Sequence, residues 1–529
     1  MWNDRRRTRV LLGIAFIARL IFAIRFSYLH PDEHLQGPQE IAHGSFGWAS
    51  QYPWEFRDEH PLRSYLILWL AYGIPMSFFS ADSNPIYVLS TLRVVLFAST
   101  WILEDMAVDR LVNTRKDKLR SLFFVSTSYV TWTWQAHTLS NSLETVLVLW
   151  FLVILHEAES ASVATFMSPF DRHYDNFLAG LIVVLGVFNR PTFLAFLILP
   201  SLRFLRLWFQ HPSTLVTFAL SATVACGACI YTDTLLYGSQ QWVITPLNFI
   251  KYNLSAANLS QHGTHNRLTH ALVNLPQLIG PGLLLLNPRF LEKTPRRFSI
   301  PVLSILGGLG LLSYFTHQEA RFLLPLVPLL CMQMDFEQFS SEKVRSILLY
   351  SWIIFNLVLG VVMGMFHQAG VTPAQVEVRQ LPRPSTVLWW KTYTPPLWLT
   401  GLQGSQVRYS ELGIYGVDVE GAESFLTSDR HDDEHSRVME SNDDVLTVFD
   451  LQGSSPDTMR HLVKTASVRD GGLYLVAPLA KAAVLKEYLG VTDPLWYTVF
   501  HLDPDLIDVA DMATLKLGLG IYNLTSIIV

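Results

Sequence analysis

Charge is what this sequence has least of. Only 16% of its 529 residues are Asp, Glu, Lys or Arg, against about 25% in an ordinary soluble domain. That scarcity argues against a soluble enzyme, and 50% hydrophobic and 12% aromatic residues exclude a disordered chain. A net charge of −5 gives no electrostatic footprint for a nucleic-acid partner. With 3 cysteines there is no disulfide framework, and Cys226, Cys229 and Cys331 all lie in apolar runs, as small hydrophobes would. No glycine-rich loop follows a strand, so a soluble nucleotide site has no support. There is no helical pair of histidines with a third ligand for zinc, and no solenoid repeat.

What is present is a series of long apolar runs, with a mean hydropathy of +0.28. About 20 apolar residues cross a bilayer. The first run, Val10 to Leu29, follows Arg5, Arg6, Arg7 and Arg9 and reads as a signal anchor with a cytosolic N-terminus. Further runs cover 86–109, 119–136, 143–156, 177–188, 191–206, 214–232, 271–287, 298–315, 322–334 and 346–366. Several are shorter than a full span, which predicts broken helices packed inside a bundle. The segment Ser64 to Ser80, interrupted by Gly73 and Pro75, reads as re-entrant or interfacial. With that choice the basic loops (110–120, Arg203 with Arg206, 289–297, Lys343 with Arg345) all fall on the cytosolic side. The sequons at Asn253, Asn258 and Asn523 fall on the opposite side, which would be the lumen. The expected architecture is thus a mainly α, polytopic membrane domain over residues 1–366, with about eleven membrane segments, and a small C-terminal luminal α/β domain over 367–529. Within the latter, 445–449 and 473–477 read as strands, and 459–466 and 485–489 as helices. The acidic stretch 429–444 reads as a solvated, disordered loop rather than a metal site, despite its His431-Asp-Asp-Glu-His435 run.

Charged groups at the ends of spans are expensive, so each is a functional candidate. His30-Pro31-Asp32-Glu33-His34 emerges directly after the first apolar run, where Pro31 can open a helix with two carboxylates in its first turn. These acids either cap a positive helix end or do chemistry at the interface. His137-Thr-Leu-Ser140-Asn141-Ser-Leu-Glu144 is either a helix start or a polar site. Asn189-Arg190-Pro191 sets a guanidinium at a membrane boundary. In His317-Gln-Glu319-Ala-Arg321, Arg321 either binds a phosphate or pairs with Glu319. The long loop before 271 adds His262, His265, Arg267 and His270.

Taken in order, His30-Pro-Asp-Glu33, Leu62-Arg63-Ser-Tyr65, Thr138 to Glu144, Asn189-Arg-Pro-Thr192 and His317 to Phe322 resemble the ER mannosyltransferases of glycosyltransferase family 22, GT-C type, which use dolichyl phosphate mannose. The segment His262 to His270, followed by Val273-Asn-Leu-Pro-Gln277, and the stretch Trp389 to Pro396 are similar to the branch that adds the fourth mannose to the glycosylphosphatidylinositol (GPI) precursor. The resemblance covers nearly the whole chain. It implies an inverting displacement that forms an α-1,2 linkage in the ER lumen, from a lipid-linked donor to a GPI glycolipid acceptor. It implies Asp32 as the base, with Glu33 as the next choice; charge and side then place Arg190, His317 and Arg321 on the donor phosphate. His30, His34, Arg63, Asn141, Glu144, His262, His265, Arg267 and Glu319 are then placed with the substrates. No metal ligand is assigned and metal dependence stays open: Asp32 with Glu33 could hold a divalent ion, but two carboxylates are few ligands for an all-protein magnesium site. A sibling acting on an earlier GPI intermediate or on the dolichol-linked N-glycan precursor is the competing reading within the family. A lipid transporter or scramblase is the competing class, and the absence of an inverted repeat speaks against it.

Overall fold

The computed structural model describes the chain apart from residues 1–4, 58–60, 165–167, 256–257, 259–262, 264, 288–298, 414–415, 428–444, 469–470, 509 and 526–529. His262, the basic loop 289–297 and the acidic stretch 429–444 with its histidines therefore lie outside the described residues. The chain divides into two compact units. The first comprises Met1–Ala23, Glu55–Ala71 and Arg93–Gly360; the second comprises Ile24–Trp54, Tyr72–Leu92 and Val361–Val529.

Long apolar runs become helices because nothing else satisfies backbone polar groups in lipid. Five helical stretches among the described residues are long and apolar enough to cross a membrane: Pro85–Leu111, Ser140–Ser160, Phe193–Gln210, Pro212–Leu236 and Glu342–Phe366. The protein is a multi-pass membrane protein. Shorter apolar helices occupy Val10–Ala23, Tyr65–Met76 and Ile300–Leu312. In the first unit the helix Pro169–Asn189 packs along Pro212–Leu236, and Phe193–Gln210 along Ile300–Leu312. Small residues permit the close approach. A Cβ on Gly180 would lie 2.5 Å from the Phe218 carbonyl oxygen, and one on Gly308 would lie 2.5 Å from the Phe196 ring. Cys229 packs into the first unit with Ile67, Val184 and Phe188, and the three cysteines are free thiols.

The first helix ends earlier than its apolar run. It stops at Ala23, and the rest of the run, Ile24 to Leu29, leaves helical geometry to join the second unit. There the Tyr28 amide donates to the His367 carbonyl at 2.9 Å, and the His367 ring bonds the Tyr28 carbonyl at 2.8 Å. Those bonds replace the helical ones. Farther on, Trp48 forms a bridge with Gln403, and its indole N–H donates to the Ala81 carbonyl. These links account for the second unit drawing in segments that precede residue 366.

The body of the second unit is a six-stranded mixed sheet ordered β2-β3-β1-β4-β6-β5. Its strands are β1 Ser385–Trp389, β2 Val407–Glu411, β3 Leu446–Asp450, β4 Gly472–Pro478, β5 Trp496–Thr498 and β6 Leu519–Asn523. The first four are parallel, and β6 is antiparallel to both β4 and β5. Central strands β1 and β3 are buried along their whole length, as parallel strands covered on both faces should be. One face packs on Ala422, Leu462, Val463 and Leu485 of three helices. The other packs on Val371, Ala374 and Val378 of the helix Val371–Gln380, together with Tyr28 and Ala49. The strands and helices expected at 445–449, 459–466, 473–477 and 485–489 are present as Leu446–Asp450, Pro456–Ala466, Gly472–Pro478 and Ala482–Leu489.

Candidate active site

In the second unit Pro31, in helical geometry, leads into the single turn Asp32–Leu35, with both carboxylates at its start. The two acids then diverge. Glu33 is fully buried; one oxygen accepts from the Leu29 amide at 3.2 Å and the other lies 3.3 Å from His34 Nε2. The His34 ring is itself buried, edge-on to Tyr28 and tilted against Trp398. Asp32 retains 16% side-chain exposure and faces His30 Nδ1 at 3.3 Å. Geometry thus leaves Asp32 as the carboxylate that solvent or a substrate can reach, while Glu33 and His34 are bound into the framework.

The first unit gathers the cations. Arg190 precedes Pro191, which disfavours helical backbone at the preceding residue; the helix Pro169–Asn189 ends there and Arg190 turns extended. Its guanidinium donates from Nη1 to Ser140 Oγ at 3.0 Å, and its Nε lies 3.6 Å from Glu144 Oε2. Asn189 holds the same helix start by donating to the Ser140 carbonyl at 2.9 Å. Glu144, fully buried, also accepts from Thr192 at 2.7 Å and from Asn141 at 3.4 Å. The motif 137–144 and the motif 189–192 therefore form one network.

A third motif joins them through Phe322. Its ring carries the Arg190 guanidinium 5.4 Å from the centroid, the Arg321 guanidinium at 5.4 Å and the His317 ring edge-on at 5.6 Å. All three residues expected on the donor phosphate thus converge on one aromatic ring. Glu319 bridges two of them, pairing with Arg321 and lying 2.8 Å from His317 Nε2. Burial works against the charged form of His317, but the Glu319 carboxylate outweighs it and holds the imidazole above its ordinary range. The segment before 271 is clipped to this loop. His265 donates its amide to the Thr316 carbonyl at 2.7 Å and accepts from the Gln318 amide at 3.3 Å, and Arg267 lies over Tyr314 at 5.1 Å. Gln318, whose side chain accepts from the His270 amide, locks the two segments.

Arg63 is placed differently. It forms a buried ion pair with Glu55 at 2.8 Å, its carbonyl accepts from the Tyr237 hydroxyl, and the next residue, Ser64, donates to Asp233. The Arg63 charge also reaches Glu144 of the neighbouring network. Of the sequons, the Asn253 and Asn258 amides donate to the Phe249 and Tyr252 carbonyls, and Asn523 ends β6 exposed. Phe322, Ser140, Thr192 and Gln318 carry contacts that no role was expected of, although each stands inside a motif already singled out. No group of three metal-ligating side chains occurs among the described residues.

The model of the Alg9-like mannosyltransferase family matches residues 10–400, a stretch containing every one of these motifs. The chain belongs to that family. Among the relatives of this mannosyltransferase, GPI mannosyltransferase 4 of Yarrowia lipolytica is 38% identical over 518 residues, covering 96% of this chain and 97% of its own. The protein of the same name in Saccharomyces cerevisiae is 33% identical, covering 97% and 98%. That of Candida albicans is 31% identical, covering 99% of each. Among solved structures, ArnT from Cupriavidus metallidurans, bound to undecaprenyl phosphate, matches this mannosyltransferase with a TM-score of 0.54 at 10% identity, over 99% of both chains. At that identity the likeness shows a shared fold.

Proposed function

We propose that this mannosyltransferase transfers the fourth mannose, in α-1,2 linkage, from dolichyl phosphate mannose to a trimannosyl GPI precursor, on the luminal side of the ER membrane. The near full-length similarity to GPI mannosyltransferases 4 carries this reading. The residues supply the chemistry. The acceptor hydroxyl attacks the anomeric carbon as its proton passes to Asp32, the more accessible of the two acids. The bond to the phosphate oxygen breaks, and dolichyl phosphate leaves. Around Phe322, Arg190, Arg321 and a protonated His317 stand against Glu144 and Glu319, so three cations and two carboxylates leave one formal positive charge. A phosphodiester donor carries one negative charge. As the glycosidic bond breaks, negative charge grows on the phosphate, and fixed cations favour that state over the ground state. Glu319 favours the protonated form of His317.

The test is incubation of membranes carrying the full chain with labelled dolichyl phosphate mannose and a synthetic trimannosyl GPI acceptor. Label is expected in a tetramannosyl product sensitive to α-1,2-mannosidase. Label in an N-glycan precursor instead, with none in the GPI acceptor, overturns the acceptor assignment.

A further inference from the structure

The second unit carries an apolar strip where an aqueous surface is expected. β5 is the edge strand of the sheet, and edges exposed to water are commonly protected by charge, proline or a bulge. Here Tyr497 of β5 is exposed, as are Val499 and Phe500 directly after the strand. β5 pairs with β6 in a register that sets Trp496 opposite Ile521 and Thr498 opposite Leu519. The pairing ends at Thr498; beyond it the Gly518 amide donates to the His501 carbonyl at 2.8 Å, and the exposed Leu515, Leu517 and 71%-exposed Met512 lie in the segment leading into β6. Large exposed apolar patches mark an interaction surface.

The position of the strip names its occupant. Phe366 is the last residue of the membrane-length stretch Glu342–Phe366. Its ring stacks on Phe500 at 5.7 Å, its carbonyl accepts from the Leu502 amide at 2.7 Å, and Leu502 returns a bond to the Gln368 amide at 2.9 Å. The strip is therefore continuous with the end of a span. At about 3.3 Å per extended residue, Tyr497 stands no more than ~10 Å from Phe500, within the depth to which interfacial elements enter the headgroup and acyl boundary. Tyrosine is enriched at that level. Lys516, between Leu515 and Leu517, can lay its stem on the apolar surface and keep its charge in water. Asp505, Asp508 and Asp511 in the intervening turns set a charged border, which suits shallow contact rather than entry into the hydrocarbon core.

We propose that Tyr497, Val499, Phe500, Met512, Leu515 and Leu517 seat the second unit on the bilayer surface beside the end of the last span. The test uses the full chain reconstituted in phosphatidylcholine vesicles, with nitroxide labels at Val499→Cys and, separately, Met512→Cys. Labelling of the unsubstituted chain gives the background from native cysteines. Val468, exposed beyond the opposite end of β4, serves as Val468→Cys for the aqueous reference. The expected result is an oxygen-to-nickel-chelate accessibility ratio several-fold higher at both strip positions than at 468. Nickel accessibility equal to that at 468 overturns the proposal. Immobilised labels shielded from both reagents also overturn it, since they indicate a protein partner or a second copy. If the Val499→Cys chain does not fold, the Met512→Cys chain, altered in a separate segment, carries the same test.

Discussion

Replacing Phe322 by leucine isolates the contribution of the ring. Leucine keeps the apolar bulk and the backbone but has no quadrupole to hold a cation. Each guanidinium now lies 5.4 Å from the ring centroid, and a cation–π contact at a half-buried site is worth about 0.5–1 kcal/mol, rising to ~2 when desolvated. Arg190 keeps its bond to Ser140 and its pairing with Glu144, and Arg321 keeps Glu319, so neither cation is released. The expected loss is therefore that of two stacked contacts, about 1–2 kcal/mol, a factor of roughly 5–30. Because those cations are assigned to the lipid-linked phosphate, the loss should fall on kcat/KM for dolichyl phosphate mannose and leave the KM of the glycolipid acceptor unchanged. Phe322→Tyr, which keeps a cation-binding face, should recover most of it. The assay is initial-rate transfer in detergent-solubilised membranes with donor and acceptor varied in turn, and thermal unfolding as the check on folding. Equal loss with leucine and tyrosine, or a loss carried by the acceptor KM, would refute the reasoning.

The other predictions use the same preparation. Asp32→Asn should lower transfer by about 10²–10⁴ with the melting temperature unchanged, whereas Glu33→Gln should lower the melting temperature, because that carboxylate is buried against the Leu29 amide and His34; a fully active Asp32→Asn chain removes Asp32 as the base. His317 is held above the ordinary histidine range by Glu319, so where Asp32 is ionised, donor kcat/KM should fall as pH rises through that raised value. His317→Gln should flatten this limb, and an unaltered pH profile in the variant contradicts the assignment. Burial pushes the Asp450 carboxyl up from 3.8 to about 7. The folded state therefore keeps its proton after the unfolded chain has lost it, so stability should fall as pH climbs from about 4 to 7 and level off above. At about 1.36 kcal/mol per pH unit the loss is on the order of 4 kcal/mol. Asp450→Asn should erase the decline and raise the melting temperature at pH 8, and a variant melting curve that still falls over this range counts against a buried neutral acid.

The parts of this structure that sequence made legible are those set by neighbours along the chain. Gly73 and Pro75 mark the break in the segment 65–76, because a missing N–H or a permissive backbone acts where it stands. Strands β3 and β4 show as apolar runs. β1 is hidden behind Pro382 and Pro384, and the departure of 24–29 from its helix depends on a partner, His367, that lies 339 residues away. The site divides along the same line. Asp32 and Glu33 read alike in sequence, and only burial separates them. Phe322 stands beside Arg321, but its contact with Arg190 spans a fold.

Scarcity of charge, which directs attention to the few ionic groups near the membrane, needs one refinement from the structure. Buried charge is costly unless compensated, and this chain compensates it in pairs: Arg19 with Glu104 at 3.0 Å, Arg63 with Glu55 at 2.8 Å and Arg190 with Glu144 at 3.6 Å. A buried arginine on its own is thus as consistent with a clasp as with a binding site, and Arg63, paired with Glu55 and within reach of Glu144, is the instance. What distinguishes the group around Phe322 is that two carboxylates meet two guanidiniums and an imidazole whose charged form Glu319 favours. In the Arg19–Glu104 and Arg63–Glu55 pairs one charge meets one; around Phe322 the balance tips toward the sign that a lipid-linked phosphate requires.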